Sequence, residues 1–155
     1  MCVIYLAYDV HPQYPLILLA NRDEFYDRPT APANYWNDHP GIFAGRDLVA
    51  GGTWLGITKA GRVAAVTNYR EPGAPKGSRS RGDLVAEFLK TRTSVKDYLS
   101  GIEERQNEYS GFNLLAGEFN ADRCELSYFS NRGNGVQPLE PGIYGLSNRL
   151  LGTEW

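Results

Sequence analysis

Cys2-Val-Ile-Tyr-Leu-Ala-Tyr8, a turn from Asp9 to Tyr14, Pro15-Leu-Ile-Leu-Leu-Ala20 and then Asn21-Arg-Asp-Glu24 decide how this chain is read. The first run is dense in β-branched and aromatic residues, which fit a pleated, half-buried surface, and it predicts a strand beginning almost at the chain end. The second is nearly continuously apolar, which predicts a strand covered on both faces. His11-Pro12 breaks the chain between them. The two runs therefore form a hairpin, and that hairpin returns Asn21–Glu24 to the sheet end from which Cys2 starts.

Reading outward, residues 26–41 hold Pro29, Pro32 and Pro40 among Tyr26, Tyr35 and Trp36 and are expected as an ordered loop. Strand signals resume at Ile42-Phe-Ala44. Thr53-Trp-Leu-Gly-Ile-Thr58, the turn Lys59-Ala-Gly61 and Arg62-Val-Ala-Ala-Val-Thr-Asn68 give the clearest hairpin. Residues 71–82, rich in Gly, Pro and Ser, are expected as loop. Helical spacing follows: Leu84, Val85, Phe88 and Leu89 share one side of Asp83–Thr91. Ser94-Val-Lys-Asp97 resembles a capping box ahead of Val95, Tyr98, Leu99 and Ile102. Strands return at Phe112–Glu118, Cys124–Phe129 and Gly142–Ser147. Hairpins, then helices, then hairpins predict an α+β fold of antiparallel sheets with helices on their outer faces. The expectation is a single domain over 1–155, incomplete at its carboxyl end because Leu150-Leu-Gly-Thr-Glu-Trp155 begins something apolar and stops.

Bulk properties narrow the function classes. Across 155 residues, 42% are hydrophobic and 22% charged, with a net charge of −2, which argues for a globular chain without the basic stripe that nucleic acid demands. Lys76-Gly-Ser-Arg79-Ser-Arg81 is short and rich in turn residues. It reads as a solvated loop whose arginines, Arg81 among them, are able to touch a small anion. No apolar run is long enough to span a bilayer, and Asp9, His11 and Pro12 interrupt the start too early for a secretory signal. Two cysteines, Cys2 and Cys124, with no Cys-x-x-Cys or His-x-x-x-His spacing, predict free thiols in a reducing cytoplasm and no metal site. His11 and His39 fall in loops and are not expected to be catalytic.

Chemistry concentrates at Cys2. Removal of Met1 would leave an α-amine, with a pKa of about 8, on the same residue as a thiol of about 8.5. The amine then accepts the thiol proton near neutral pH and later returns it, so one residue supplies nucleophile and base. A nearby arginine favours the thiolate, and a carboxylate orients the amine. Arg22 and Asp23 are delivered for this by the hairpin. The alternative for Cys2 is plain packing, since free cysteine is among the most buried residue types. Adjacent strand residues point to opposite faces, so either a bulge or turn reorients Arg22 or Asp23, or Glu24 takes the carboxylate role. Trp54 reads either as the wall of an apolar pocket or as core. Asn68, at a strand end, reads either as a turn residue or as a donor; Asn148 stands in the same position.

Met1-Cys2, Ala20-Asn-Arg-Asp-Glu-Phe25, Ala44-Gly-Arg-Asp47, Gly51-Gly-Thr-Trp-Leu-Gly56, Val66-Thr-Asn68, Ser80-Arg-Gly82, Gly111-Phe-Asn113 and Gly145-Leu-Ser-Asn148 occur in that order. The series resembles the NRDE-motif family, also called the transport and Golgi organisation protein two family, and covers its amino-terminal part. The resemblance implies an αββα sandwich of the N-terminal-nucleophile hydrolase type. It implies Cys2 as nucleophile and base, Arg22 beside the thiolate, Asp23 on the α-amine, and Asn68 and Asn148 as oxyanion or substrate donors. Asn21, Glu24, Trp54 and Arg81 would contact substrate. The reaction implied is thiol-dependent hydrolysis of a non-peptide C–N bond in a small or lipid-like amide, with no resident cofactor. Two other roles stay open: carriage of a ligand such as haem or a lipid in the same cleft, and a contact-making factor in secretory organisation.

Overall fold

The computed structural model describes residues 2–153. Its elements run β1 (Val3–Tyr8), β2 (Leu16–Asn21), β3 (Thr30–Tyr35), β4 (Ile42–Asp47), β5 (Leu55–Thr58), β6 (Arg62–Asn68), α1 (Arg81–Lys90), α2 (Val95–Glu104), a 3-10 turn at Gln106–Glu108, β7 (Phe112–Phe119), β8 (Cys124–Ser130), β9 (Gln137–Pro138) and β10 (Gly142–Leu146). Two antiparallel sheets result. One has three strands in the order β10-β1-β2, and the other seven in the order β3-β4-β5-β6-β7-β8-β9. The fold is α+β.

Alternation along the strands builds two separate cores. Ile4 and Leu6 of β1 and Leu146 of β10 pack on Ala65, Leu115, Leu126 and Tyr128 of the large sheet, so the sheets lie face to face. On the other side of the large sheet, Ala64, Val66, Leu114, Ala116 and Phe129 meet Leu84, Val85, Phe88 and Leu89 of α1 and Val95, Leu99 and Ile102 of α2. Each Leu, Ile or Phe fully buried there contributes about 2 kcal/mol of transfer free energy. Residues one apart thus serve opposite layers, as a period of two requires. Both helices start on serine caps: Ser80 accepts from the Gly82 amide and Ser94 from the Asp97 amide. The Asp97 carboxylate accepts from the Ser94 hydroxyl at 2.7 Å rather than from its backbone, a variant of the expected box. Between β5 and β6 the Gly61 amide closes the turn on Thr58, and Gly61 has φ +86°, a conformation that glycine adopts without strain.

Three expectations are corrected. Residues 26–41 contain a strand, β3, which pairs with β4 across an irregularity between Ala31 and Asn34. Pro32 is tolerated there because β3 is an edge strand. Strand β2 is not covered on both faces: Leu16 and Leu18 are half-buried, while Ile17 and Leu19 are 37% and 68% exposed. The helices do not cover both sheets. Both pack on the large one, and the outer face of the three-stranded sheet leaves Tyr5, Ile17, Leu19 and Ile143 exposed. Among the described residues the order of layers is therefore helix, sheet, sheet. Of the apolar carboxyl end, Leu151 packs partly buried against the core between the sheets, while Glu154 and Trp155 lie outside the described residues.

Candidate functional site

The register of the first hairpin places the site. Val3 pairs with Asn21, so the residue before β1 and those after β2 emerge at the same end of the small sheet. Cys2 is 8% exposed. Its carbonyl accepts from the Ser147 hydroxyl at 2.8 Å, and its thiol donates to the Asp23 carbonyl at 3.8 Å, a long contact that sulfur's size allows. The Cys2 residue borders a cleft of about 960 Å³ whose wall also contains Arg22, Asp23, Glu24, Trp54, Asn68 and Arg81. Leu16, Leu18, Leu55 and Val63 make part of that wall apolar. Trp54, half-buried, also packs against the helix-side core, so both readings of it hold together.

Strand β2 ends at Asn21, so Arg22, Asp23 and Glu24 are not bound by strand alternation and all three reach the cleft. Arg22 donates to Glu24 at 2.9 Å. Glu24 also lies 3.8 Å from Arg28, which is paired at 2.6 Å with Asp47. Burial pushes the Cys2 thiol above its ordinary value; the amino-terminal charge, Arg22 and Arg81 pull it down, and Glu24 pushes it up. Burial likewise lowers Arg81, against the opposing influence of Cys2 and Glu24. Met1, whose removal would free the Cys2 amine, lies outside the described residues.

Asn21 and Asn148 stand off the cleft wall. The Asn148 side-chain Nδ2 donates to the Asn68 backbone carbonyl at 2.8 Å, and the Asn148 backbone carbonyl accepts from the Arg70 backbone amide. It braces the strand end that carries Asn68. Neither histidine lines the cleft, and among the described residues no group of three or more His, Cys, Asp or Glu is placed to hold a metal.

Beneath the site lies a buried polar network that inspection of the motifs for reactive groups passes over. Asn113, fully buried on β7, donates to Thr67 Oγ1 at 3.1 Å, to the Ser147 carbonyl at 3.4 Å and to the Arg149 carbonyl at 2.9 Å. Its carbonyl oxygen accepts from the Tyr128 hydroxyl at 2.7 Å. Thr67 donates to the Ser147 carbonyl at 2.6 Å, and Ser147 in turn holds the Cys2 carbonyl. The network ties β6, β7 and β8 to the segment after β10, and through it to Cys2. Its signal was present in Val66-Thr-Asn68 and Gly145-Leu-Ser-Asn148: in each, the residue before the asparagine is the buried one.

A second close fit sets the opposite wall. Gly52 lies against Gly82 so tightly that a Cβ on Gly52 would come within 2.6 Å of the Gly82 carbonyl carbon. The Thr53 amide bonds the Gly82 carbonyl at 3.3 Å. This backbone contact fixes the first turn of α1, and with it Arg81. Gly52→Ala is expected to cost about 1–3 kcal/mol by overpacking and to displace Arg81; thermal melting checks the first effect, and Cys2 alkylation rate the second.

A family model described as "Transport and Golgi organisation 2" matches residues 1–155. The "Transport and Golgi organization protein 2 homolog" of Bos taurus is 42% identical over 165 residues, which cover 100% of this chain and 59% of that protein. The homolog of Homo sapiens is likewise 42% identical, with 100% and 59% covered. "Transport and Golgi organization protein 2" of Drosophila melanogaster is 32% identical over 166 residues, covering 97% of this chain and 58% of its own. The chain thus spans 59% of the length of the first of these relatives.

Proposed function

This chain belongs to the Transport and Golgi organisation 2 family, and from that premise we propose that its cleft is the site of a thiol-dependent N-terminal-nucleophile amidohydrolase. The observation that carries the reading is the position of Cys2, held at the head of β1 by Ser147 and set at the edge of a large, part-apolar cleft beside Arg22, Asp23 and Glu24. Once Met1 is removed, the Cys2 amine takes the thiol proton and sulfur attacks the carbonyl carbon of a small or lipid-like amide. The side chain of Asn68, at the cleft wall, donates to the oxyanion, with Asn148 bracing it from behind. Collapse breaks the C–N bond. The leaving nitrogen takes the proton back from the α-ammonium, and water hydrolyses the thioester to regenerate Cys2. Asp23 orients the amine, and the apolar wall accommodates the acyl chain.

Labelling with an electrophile and mapping the modified peptide by mass tests this. Cys2 is expected to react faster than Cys124, on chains that have lost Met1. Retention of Met1 in the mature protein, or a Cys2 no more reactive than exposed Cys124, would contradict it.

A second reading has one observation in its favour. The cleft wall is partly apolar, which suits carriage of a haem or lipid-like ligand. A haem titration followed by absorbance separates the two. A spectral change lost in Cys2→Ala supports carriage of haem; no change removes it.

A further inference from the structure

Besides the amino-terminal charge, the charges around Cys2 come from three elements. The segment after β2 contributes Arg22, Asp23 and Glu24, and α1 contributes Arg81. The loop before α1 contributes Lys76 and Arg79 farther along the cleft wall, and Arg79 is paired with Glu87 and Glu108. The β10 side presents the neutral hydroxyl of Ser147. Of the two arginines that act on Cys2, Arg22 is engaged with Glu24 at 2.9 Å. Arg22 acts on the thiol more strongly than Arg81, but Glu24 acts beside it with the opposite sign, so the pair approaches a neutral dipole. Arg81 is different. Its Nη1 donates to the backbone carbonyl of Gly111 at 3.1 Å, and among the described residues no carboxylate lies within ion-pair distance of it. The groups that act on its charge are Cys2 and Glu24. A backbone carbonyl orients the guanidinium without cancelling its charge. The Gly52–Gly82 contact and the Ser80 cap hold the helix turn on which it sits.

We infer that Arg81 supplies the uncompensated positive side-chain charge that favours the Cys2 thiolate, beside the amino-terminal charge, with Arg22 and Glu24 acting together as a charge-balanced pair. Arg81 is thus a positioning residue that works through the sulfur, and the cleft's electrostatic asymmetry comes from α1 rather than from the segment that carries Arg22. The inference rests on the reading of Cys2 as the nucleophile.

The test is the pH profile of Cys2 alkylation by iodoacetamide in the whole chain, resolved from Cys124 by mass mapping. Arg81→Gln is expected to move the midpoint up and to slow alkylation at neutral pH roughly three- to tenfold. Arg81→Lys, which keeps the charge, should recover most of the rate. The double variant Arg22→Gln/Glu24→Gln should move the midpoint less than half as far as Arg81→Gln. Arg81→Lys serves as the folding control, and a melting curve of each variant checks that it folds. A profile unchanged by Arg81→Gln in a folded variant, or a double variant that shifts at least as far, would each overturn the inference while leaving Cys2 as nucleophile. A wild-type Cys2 no faster than Cys124 overturns both.

Discussion

Replacing Asn113 with leucine is expected to destabilise the protein by about 4 kcal/mol and to lower its melting temperature by roughly 8–16 °C. Leucine is close in volume, so the loss comes from hydrogen bonds rather than from a cavity. Asn113 is fully buried, and the change removes the acceptor of the Tyr128 hydroxyl proton, a donor to the Arg149 carbonyl and one of two donors to the Ser147 carbonyl. Each buried polar group left without a partner costs about 1–3 kcal/mol. The Tyr128 hydroxyl still accepts from the Leu151 amide at 3.2 Å, and the Ser147 carbonyl still accepts from Thr67, which moderates the sum. The same substitution should loosen Cys2, because Ser147 holds its carbonyl, and so broaden the difference between chemical and thermal effects. Thermal and urea melts measure the first quantity. A fall of less than about 2 °C would mean that the network does not join the sheets energetically.

The second large effect is chemical. Cys2→Ala should abolish hydrolysis, a fall of at least about a thousandfold, and remove the fast-labelling thiol, with the melting temperature nearly unchanged. The thiol contributes one long bond to Asp23, and the backbone contact with Ser147 does not depend on the side chain. Loss of activity together with loss of fold would instead assign Cys2 a packing role. Hydrolysis rate and melting temperature, measured on the same preparation, separate these outcomes.

Much of this architecture is legible in local pattern. The β5–β6 hairpin follows from Lys59-Ala-Gly61 between two apolar runs, and both helices are announced by serine caps and helical spacing. Less legible is what depends on partners far along the chain. The prolines before Trp36 disfavour a strand, yet β3 forms because β4 offers it an edge. The continuous apolar run of β2 is what a strand covered twice looks like, but Ile17 and Leu19 face outward with Tyr5 and Ile143. Nothing in the run itself says which layer covers which face.

The site divides in the same way. Cys2, Arg22, Asp23 and Glu24 are brought together by a hairpin whose two runs and turn are visible in twenty-four residues. The adjacency of Arg22 and Asp23, awkward on a strand, is resolved because β2 stops at Asn21. Asn68 reaches the cleft and Asn148 does not, a difference of tertiary placement that their matching position at strand ends conceals. Thr67, Asn113 and Ser147 escape notice because buried polar residues look, in sequence, like any others. Only the meeting of two sheets shows that they bond one another. Arg81 sits in a turn-rich stretch that reads as a solvated loop until Gly52 and Gly82 are seen to interlock.

The most direct test of the Cys2 assignment is to trap the acyl-enzyme. A slowly hydrolysed activated amide or ester, quenched in acid during turnover and mapped by intact and peptide mass, should add the acyl mass to Cys2 on a chain lacking Met1. The adduct should be labile to hydroxylamine, as a thioester is, and absent from Cys2→Ala. Turnover with no acyl adduct on Cys2, or an adduct that persists in Cys2→Ala, would contradict the account.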